Sequence, residues 1–200
     1  MIITISGNSG TGTTTLSRRL SSTLGFPYFY AGSIFRRIAD EHKLKLLDMI
    51  EGVGYDSNLD RQVDDEMVQI MSSQKDALVE GRLSGYLAWH HKIPSFRILL
   101  TASPATQAER IAQREQKSLT QALAEAAERD NLDWQRYLDL YGIDKQTAPQ
   151  WYQLILDTDT MDIETVYQTC LQTIQQQHDI AQGKKLRAKE NLEQKKSLSY

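Results

Sequence analysis

The residues with the clearest chemical potential lie near the N-terminus, in the segment Gly7–Thr14, which reads Gly-Asn-Ser-Gly-Thr-Gly-Thr-Thr. Its three glycines permit backbone angles that are closed to other residues, so successive N–H groups can point at phosphate oxygens. An apolar run precedes the segment and a helical pattern follows it, and the N-terminus of a helix attracts anions. We therefore expect a phosphate-binding loop made of Gly7, Asn8, Ser9, Gly10, Thr11, Gly12, Thr13 and Thr14.

A metal ion is expected beside this loop. Thr14 stands where the hydroxyl of a phosphate loop usually ligates Mg²⁺, and Glu80, at the end of another predicted strand, can hold waters of the metal. Thr13, however, occupies the position of the lysine in the pattern G-x-x-x-x-G-K-[ST], and it offers a neutral hydroxyl where lysine brings a positive charge to the β- and γ-phosphates. Two interpretations stay open on this ground: an enzyme that draws cations from elsewhere, and a nucleotide-binding regulatory protein without turnover.

Cations for phosphoryl transfer are available on two predicted helices. Arg110 and Arg114 are four residues apart and share one helix face. Arg129, Asp133 and Arg136 are spaced by four and three residues, so two arginines flank a carboxylate on one face. Such a set can clamp an anionic ligand, but spacing alone favours an exposed ladder of salt bridges.

Length and composition indicate one globular domain. The chain has 200 residues, of which 40% are apolar and 24% are charged. No apolar stretch is long enough for a transmembrane helix, and the N-terminal residues lack the basic start of a signal peptide. The single cysteine, Cys170, lies in an apolar-periodic segment, where a small core residue is expected. These features predict a cytoplasmic protein that does not act at a membrane.

Charge is uneven along the chain. The net charge is −3, yet residues 183–200 carry six Lys or Arg against two Glu. An acidic body with a short basic tail is not the composition of a nucleic-acid-binding protein. We expect residues 179–200 to be a basic tail, helical or disordered, which can contact an acidic partner.

Short apolar strands alternate with helical patterns. The predicted strands are Ile2–Ser6, Pro27–Ala31, Ala77–Glu80, Phe96–Thr101 and Leu154–Leu156. The predicted helices are Thr13–Leu24, Ser33–His42, Leu59–Ser73, Ser103–Glu115, Ser118–Tyr141 and Asp162–Gln177. Continuous apolar strands joined by helices predict an α/β fold of the P-loop NTPase type, a doubly wound parallel five-stranded sheet with helices on both faces.

Four further segments carry a resemblance to a known family. They read Ile3-Thr-Ile-Ser-Gly7, Tyr30-Ala-Gly-Ser-Ile-Phe-Arg36, Val79-Glu-Gly-Arg82-Leu-Ser-Gly85 and Glu128-Arg-Asp-Asn-Leu-Asp133-Trp-Gln-Arg136-Tyr137, with Tyr141-Gly-Ile-Asp144 behind. In this order and from residue 1 to about residue 178, the chain resembles the archaeal-type cytidylate kinases. The resemblance implies a nucleoside monophosphate kinase domain over residues 1–178.

The resemblance also implies a reaction and a set of roles. The family transfers the γ-phosphate of ATP to CMP, and usually to dCMP, with Mg²⁺. Arg36 and Arg82 match arginines that hold the phosphate of the acceptor, and Arg129, Asp133 and Arg136 match a set directed at the sugar and phosphate of CMP. Arg110 and Arg114 match arginines of a helical lid, here around residues 110–141, and with Arg129 they are the expected catalytic residues. Asp157 and Thr158 match a strand end near the adenine.

Two positions depart from the bacterial relatives of that family. Ala31 stands where they have serine before the glycine of the acceptor site, and Leu83 stands where they have aspartate after the arginine. Recognition of the base must therefore differ in detail, and a kinase for another small acceptor remains an alternative. Thr13 is expected to be a trait of the archaeal-type subfamily.

Overall fold

The computed structural model describes residues 1–41, 57–143, 149–177 and 179. Its elements in chain order are β1 (Ile2–Ser6), α1 (Thr13–Leu24), β2 (Tyr28–Tyr30), α2 (Ala31–Glu41), α3 (Ser57–Ser73), β3 (Ala77–Glu80), α4 (Ser84–His90), β4 (Ser95–Thr101), α5 (Pro104–Glu115), α6 (Leu119–Tyr141), β5 (Leu154–Asp157) and α7 (163–177). The predicted basic tail lies outside the described residues, apart from Asp179.

The five strands form one parallel sheet in the order β2-β3-β1-β4-β5. The central strand, β1, is buried along its whole length and pairs with β3 on one side and β4 on the other. Since all strands run in the same direction, the loops that follow them meet at one edge of the sheet. The predicted five-stranded parallel sheet is confirmed.

Helices cover both faces of this sheet. On one face, Ile3 and Ile5 of β1 pack with residues of α1 and α7, and Cys170 is fully buried there. On the other face, Ile2 and Val79 pack with residues of α2, α3 and α4. Two apolar cores on either side of one sheet are what a doubly wound fold requires, and they explain why its strands are continuous apolar runs.

The ends of the long helices follow their capping residues. The Ser103 side chain accepts a hydrogen bond from the backbone N–H of Thr106, and Ser118 forms a capping box with Gln121, as predicted. The helix α4 was not predicted, because a seven-residue helix that contains the apolar run Tyr86–Trp89 is too short to show a clear periodicity. Within the described residues, no helix combines the length and the apolar character needed to cross a membrane.

Candidate functional site

The segment after β1 is a tightly packed loop at the carboxyl edge of the sheet. Gly10 and Gly12 have φ angles of 83° and 93°, in the left-handed region that favours glycine. A Cβ on Gly10 would lie 2.7 Å from the backbone oxygen of Gln107. Gly12 is also the N-cap of α1, so the loop ends at a helix N-terminus. This geometry is suited to an anion held by backbone N–H groups.

A buried carboxylate lies against the end of this loop. Glu80, at the end of β3, is only 6% exposed. Its Oε1 accepts hydrogen bonds from the hydroxyls of Thr13, at 2.8 Å, and Thr14, at 2.7 Å. Its Oε2 accepts one from the hydroxyl of Tyr28, on β2. Burial and this hydrogen bond raise the pKa of Tyr28, so its phenol stays protonated and remains a donor.

Close to Glu80, side chains of alternating charge form a network of ion pairs that begins at Arg82. The guanidinium of Arg82 contacts the Ser9 hydroxyl of the loop at 3.1 Å and forms ion pairs with Asp133 and Asp130 of α6. Asp130 in turn accepts a hydrogen bond from the side-chain amide of Asn8 at 2.5 Å. Burial lowers the pKa of Arg82. Because an unpaired buried charge is costly, this cation requires carboxylates around it.

This network of ion pairs continues from α6 to α3. Arg136 pairs with Asp133 on its own helix and, through Nε, with Asp60 at 3.1 Å. Nearby, the hydroxyl of Tyr141 donates to Asp64 at 2.6 Å. Asp60 and Asp64 are functional candidates that the sequence analysis missed. Their spacing of four residues, beside the apolar stripe of α3, is the signal that could have indicated a shared inward face.

The carboxyl group of Asp64 gives a pH-dependent prediction. Burial raises its pKa to about 7, although the hydrogen bond from Tyr141 opposes the shift. Because the folded state binds this proton more tightly than the unfolded chain, the contribution of the group to stability is present at low pH and is lost as the pH rises through about 7. We expect Asp64→Asn to raise the free energy of unfolding at pH 8 by about 1 to 3 kcal/mol and to change it little at pH 4.

Thermal or urea unfolding from pH 4 to pH 9 checks this expectation. Asp65→Asn, at the exposed neighbouring position on α3, is the matched control and should leave the free energy of unfolding at pH 8 nearly unchanged. Equal stability of the wild type and Asp64→Asn at pH 8 would contradict it.

Of the four predicted nucleotide residues at the far side of the loop, Arg110 and Thr158 contact each other, whereas Arg114 and Asp157 have other partners. Arg110 donates to the backbone oxygen of Gly10 at 3.1 Å and to the hydroxyl and carbonyl oxygens of Thr158, at 2.9 and 2.7 Å. Arg110 therefore joins α5, the phosphate loop and the end of β5. Arg114 is exposed and pairs with Glu115, while Asp157 is exposed and accepts from the backbone N–H of Asp159.

The remaining two predicted arginines lie at the surface. Arg36, on α2, donates to the hydroxyl of Tyr30 at 2.6 Å. Arg129 is exposed on α6, close enough to Arg82 for its charge to contribute to the lowered pKa of that residue, after burial. No group of three or more His, Cys, Asp or Glu suited to a metal ion occurs among the described residues.

Comparison with known proteins identifies the family. The model of the "Cytidylate kinase-like family" matches residues 2–160. The cytidylate kinase of Methanobrevibacter smithii is 36% identical over 174 residues, which cover 87% of this chain and 98% of the relative. That of Pyrococcus abyssi is 38% identical over 167 residues, covering 84% and 90%. Both relatives agree with the resemblance that the motifs predicted.

Solved structures support the fold alone. A shikimate kinase from Bacteroides thetaiotaomicron superposes with a TM-score of 0.58 at 14% identity, covering 90% of this chain and 98% of that one. A shikimate kinase from Acinetobacter baumannii, in complex with shikimate, gives 0.57 at 15% identity, covering 88% and 93%. From the match over most of its length, the chain belongs to the cytidylate kinase-like family and is a nucleoside monophosphate kinase with a P-loop fold.

Proposed function

We propose that this enzyme transfers the γ-phosphoryl group of ATP to CMP, and also to dCMP, with Mg²⁺ bound beside the phosphate loop. The observation that carries the proposal is the 3.1 Å contact between Arg82, matched to an acceptor arginine, and Ser9 of the phosphate loop. Transfer requires the donor phosphate and the acceptor phosphate to be neighbours. A residue that touches the loop while pairing with Asp133 of α6 joins the two halves of such a site.

The residues beside the loop fit Mg²⁺. This ion prefers oxygen ligands, and it is commonly held by one or two carboxylates or hydroxyls together with phosphates and water. Thr14 offers a hydroxyl, and Glu80 offers a buried carboxylate in contact with it. When bound, the ion would supply positive charge to the phosphates of the donor.

The arginines supply the charge that Thr13 does not. Arg110, beside Gly10 and Thr158, lies at the donor side of the loop, and Arg114 follows it one turn later on α5. In our proposal Arg36, Arg82 and Arg129 hold the acceptor phosphate, and Asp133 accepts a hydrogen bond from the sugar or the base. Aligned reactants and charge neutralisation are sufficient for in-line transfer, and no covalent intermediate is needed.

A small cavity lies beside Arg82, on the side where we place the acceptor. The cavity between the loop and α6 measures about 60 Å³, and it is lined by Gly7, Asn8, Arg82, Leu83, Leu99, Trp134, Tyr137, Trp151 and Tyr152. Ligand pockets are commonly 300 to 1,000 Å³. In our proposal α6 shifts when the acceptor binds, and the acceptor phosphate competes with Asp130 and Asp133 for Arg82. Closure of α6 over the bound acceptor would then exclude water, which otherwise takes the phosphoryl group.

A coupled assay of ADP formation from ATP and Mg²⁺ tests the proposal against a panel of CMP, dCMP, UMP and AMP. We expect rapid ADP formation with CMP and dCMP, and values of kcat/KM at least about 10-fold lower with UMP and AMP, because a site built to pair a polar group rejects a base that leaves it unpaired. An equal or higher kcat/KM with AMP or UMP would overturn the cytidine assignment in favour of a kinase for another acceptor.

Two neighbouring arginines on α2 provide the matched variants for this assay. Arg36→Ala should raise the KM for CMP by about 10-fold or more, since a charge-assisted contact is lost. Arg37→Ala should leave it unchanged, because Arg37 pairs with Glu41 and Glu66 at the surface. Equal effects of the two substitutions would remove Arg36 from the acceptor site.

A further inference from the structure

The two tyrosines of β2 contact opposite halves of the site. The hydroxyl of Tyr28 donates to Glu80, the carboxylate beside Thr13 and Thr14. The hydroxyl of Tyr30 accepts from Arg36 at 2.6 Å. Neither tyrosine was assigned a role from the sequence motifs. Each one, however, contacts a residue to which the proposed reaction gives a role.

The strand geometry keeps these two rings together. Residues two apart on a strand project from the same face. The rings of Tyr28 and Tyr30 are accordingly stacked, with centroids 6.3 Å apart and an angle of 15° between their planes. In the sheet register, Tyr30 is paired with Glu80 itself. A short edge strand thus presents two hydroxyls to two different charged groups.

The ring of Tyr30 lies directly over the backbone of Gly32. A Cβ on Gly32 would lie 2.6 Å from the ring of Tyr30, so this position has no room for a side chain while the ring stays where it is. Arg36 also lies over that ring, with 5.2 Å from its guanidinium carbon to the ring centroid. The ring and the hydroxyl together restrict where the guanidinium of Arg36 can point.

Tyr28 restricts Glu80 in a similar way. Oε1 of the carboxylate is engaged by the two threonine hydroxyls, and Oε2 is engaged by Tyr28. These three neutral hydroxyl donors fix the plane of the carboxylate. Such outer contacts orient carboxylates that face a metal, and their loss commonly weakens metal affinity by about 10- to 100-fold.

We propose that Tyr28 and Tyr30 are positioning residues for the two substrates: Tyr28 orients Glu80 toward the metal–nucleotide complex, and Tyr30 orients Arg36 toward the acceptor phosphate. The inference rests on the proposed function, because it takes Glu80 and Arg36 to act on the metal side and on the acceptor side. The new element is that two stacked tyrosines of one strand serve different substrates.

Calorimetric titration of the full-length protein with three ligands tests this assignment: ADP with Mg²⁺, ADP with a chelator, and CMP. Tyr28→Phe should weaken ADP about 10-fold in the presence of Mg²⁺, with little change in the chelator and little change for CMP, since one hydrogen bond to a charged group is lost. Tyr30→Phe should weaken CMP about 10-fold and leave both ADP titrations unchanged. Phenylalanine keeps the stacking in both variants.

Tyr167→Phe is the matched control, because the Tyr167 hydroxyl makes a 2.8 Å hydrogen bond with Thr23 on the face covered by α1 and α7. It should change none of the three affinities. If Tyr28→Phe weakens CMP as much as Mg-dependent ADP, or if Tyr30→Phe leaves CMP affinity unchanged, the inference is wrong. If the wild type binds Mg-ADP but not CMP, the proposed function fails together with the Tyr30 half of the inference, and the Mg-dependent ADP titrations still decide the Tyr28 half.

Discussion

Replacing Arg82 by alanine is expected to lower kcat/KM for CMP phosphorylation by about 10²- to 10³-fold, the range seen when a single positioned donor to a developing charge is removed. Arg82 contacts Ser9 of the phosphate loop, and it pairs with Asp130 and Asp133 of α6. Its loss removes a cation from the acceptor side. It also leaves the buried carboxylate of Asp133 with one arginine fewer.

The second effect predicts a cost in stability as well as in rate. Truncating one partner of a buried ion pair commonly costs about 3 to 5 kcal/mol, and the remaining pair between Asp133 and Arg136 should reduce this cost. Arg82→Lys keeps the charge but lacks the planar fork that meets two carboxylates, so we expect it to recover stability better than rate.

Steady-state kinetics and thermal unfolding of the same variants separate the two effects. Arg97→Ala is the matched control: Arg97 is also partly buried, but it lies in the first half of β4, where its Nε donates to the backbone oxygen of Trp151. We expect Arg97→Ala to lower the unfolding temperature without raising the KM for CMP. Retention of wild-type kcat and KM by Arg82→Ala would refute the acceptor site described above.

Replacing Gly10 by alanine is expected to abolish nucleotide binding and to destabilise the protein by about 2 to 4 kcal/mol, because strain and overpacking act at the same residue. Its φ angle of +83° is unfavourable for any residue with a Cβ, and that Cβ would lie 2.7 Å from the backbone oxygen of Gln107 and 2.8 Å from its Cα. Backbone atoms of α5 cannot move aside as a side chain can. The loop itself must shift, and its N–H groups then no longer converge.

Gly25→Ala is the control for the backbone strain alone. Gly25 ends α1 with a φ of +67°, and a Cβ there would meet nothing within 4 Å. We expect a loss of about 1 kcal/mol and unchanged nucleotide affinity. Thermal unfolding and titration with ADP measure both quantities. Nucleotide binding by Gly10→Ala at wild-type affinity would contradict the role given to the packing of this loop.

Much of the fold follows from local sequence signals. The buried strands of a parallel sheet must be apolar on both faces, so Ile2–Ser6 and Ala77–Glu80 are predicted with the bounds that the structure gives. Caps at Ser103 and Ser118 mark the starts of α5 and α6. The strand order β2-β3-β1-β4-β5 was not predicted, because pairing between distant segments leaves no local pattern.

The candidate site likewise has a part that local sequence predicts and a part that depends on contacts between distant residues. Glycine spacing predicts the phosphate loop, since its geometry is set by neighbouring residues. The contacts that complete the site join distant positions: Thr13 and Glu80 are 67 residues apart, and Asn8 and Asp130 are 122 apart. The resemblance to a family could name Arg82 and Asp133. The spacing of Asp60 and Asp64 could indicate a shared helix face, but their partners on α6, Arg136 and Tyr141, are set by the packing of α3 against α6. Their role depends on tertiary structure.

The helix α6 connects the two halves of the proposed site. It runs for 23 residues without glycine or proline, between a capping box and the left-handed Gly142, so it is about 34 Å long and stiff. Its first half packs on α5, whose Arg110 contacts the phosphate loop, and its second half carries Asp133 and Arg136. A displacement of one half therefore moves the other. If ATP and CMP favour the same position of this helix, each raises the binding affinity of the other by an equal factor, and this single helix then carries the binding cooperativity between them.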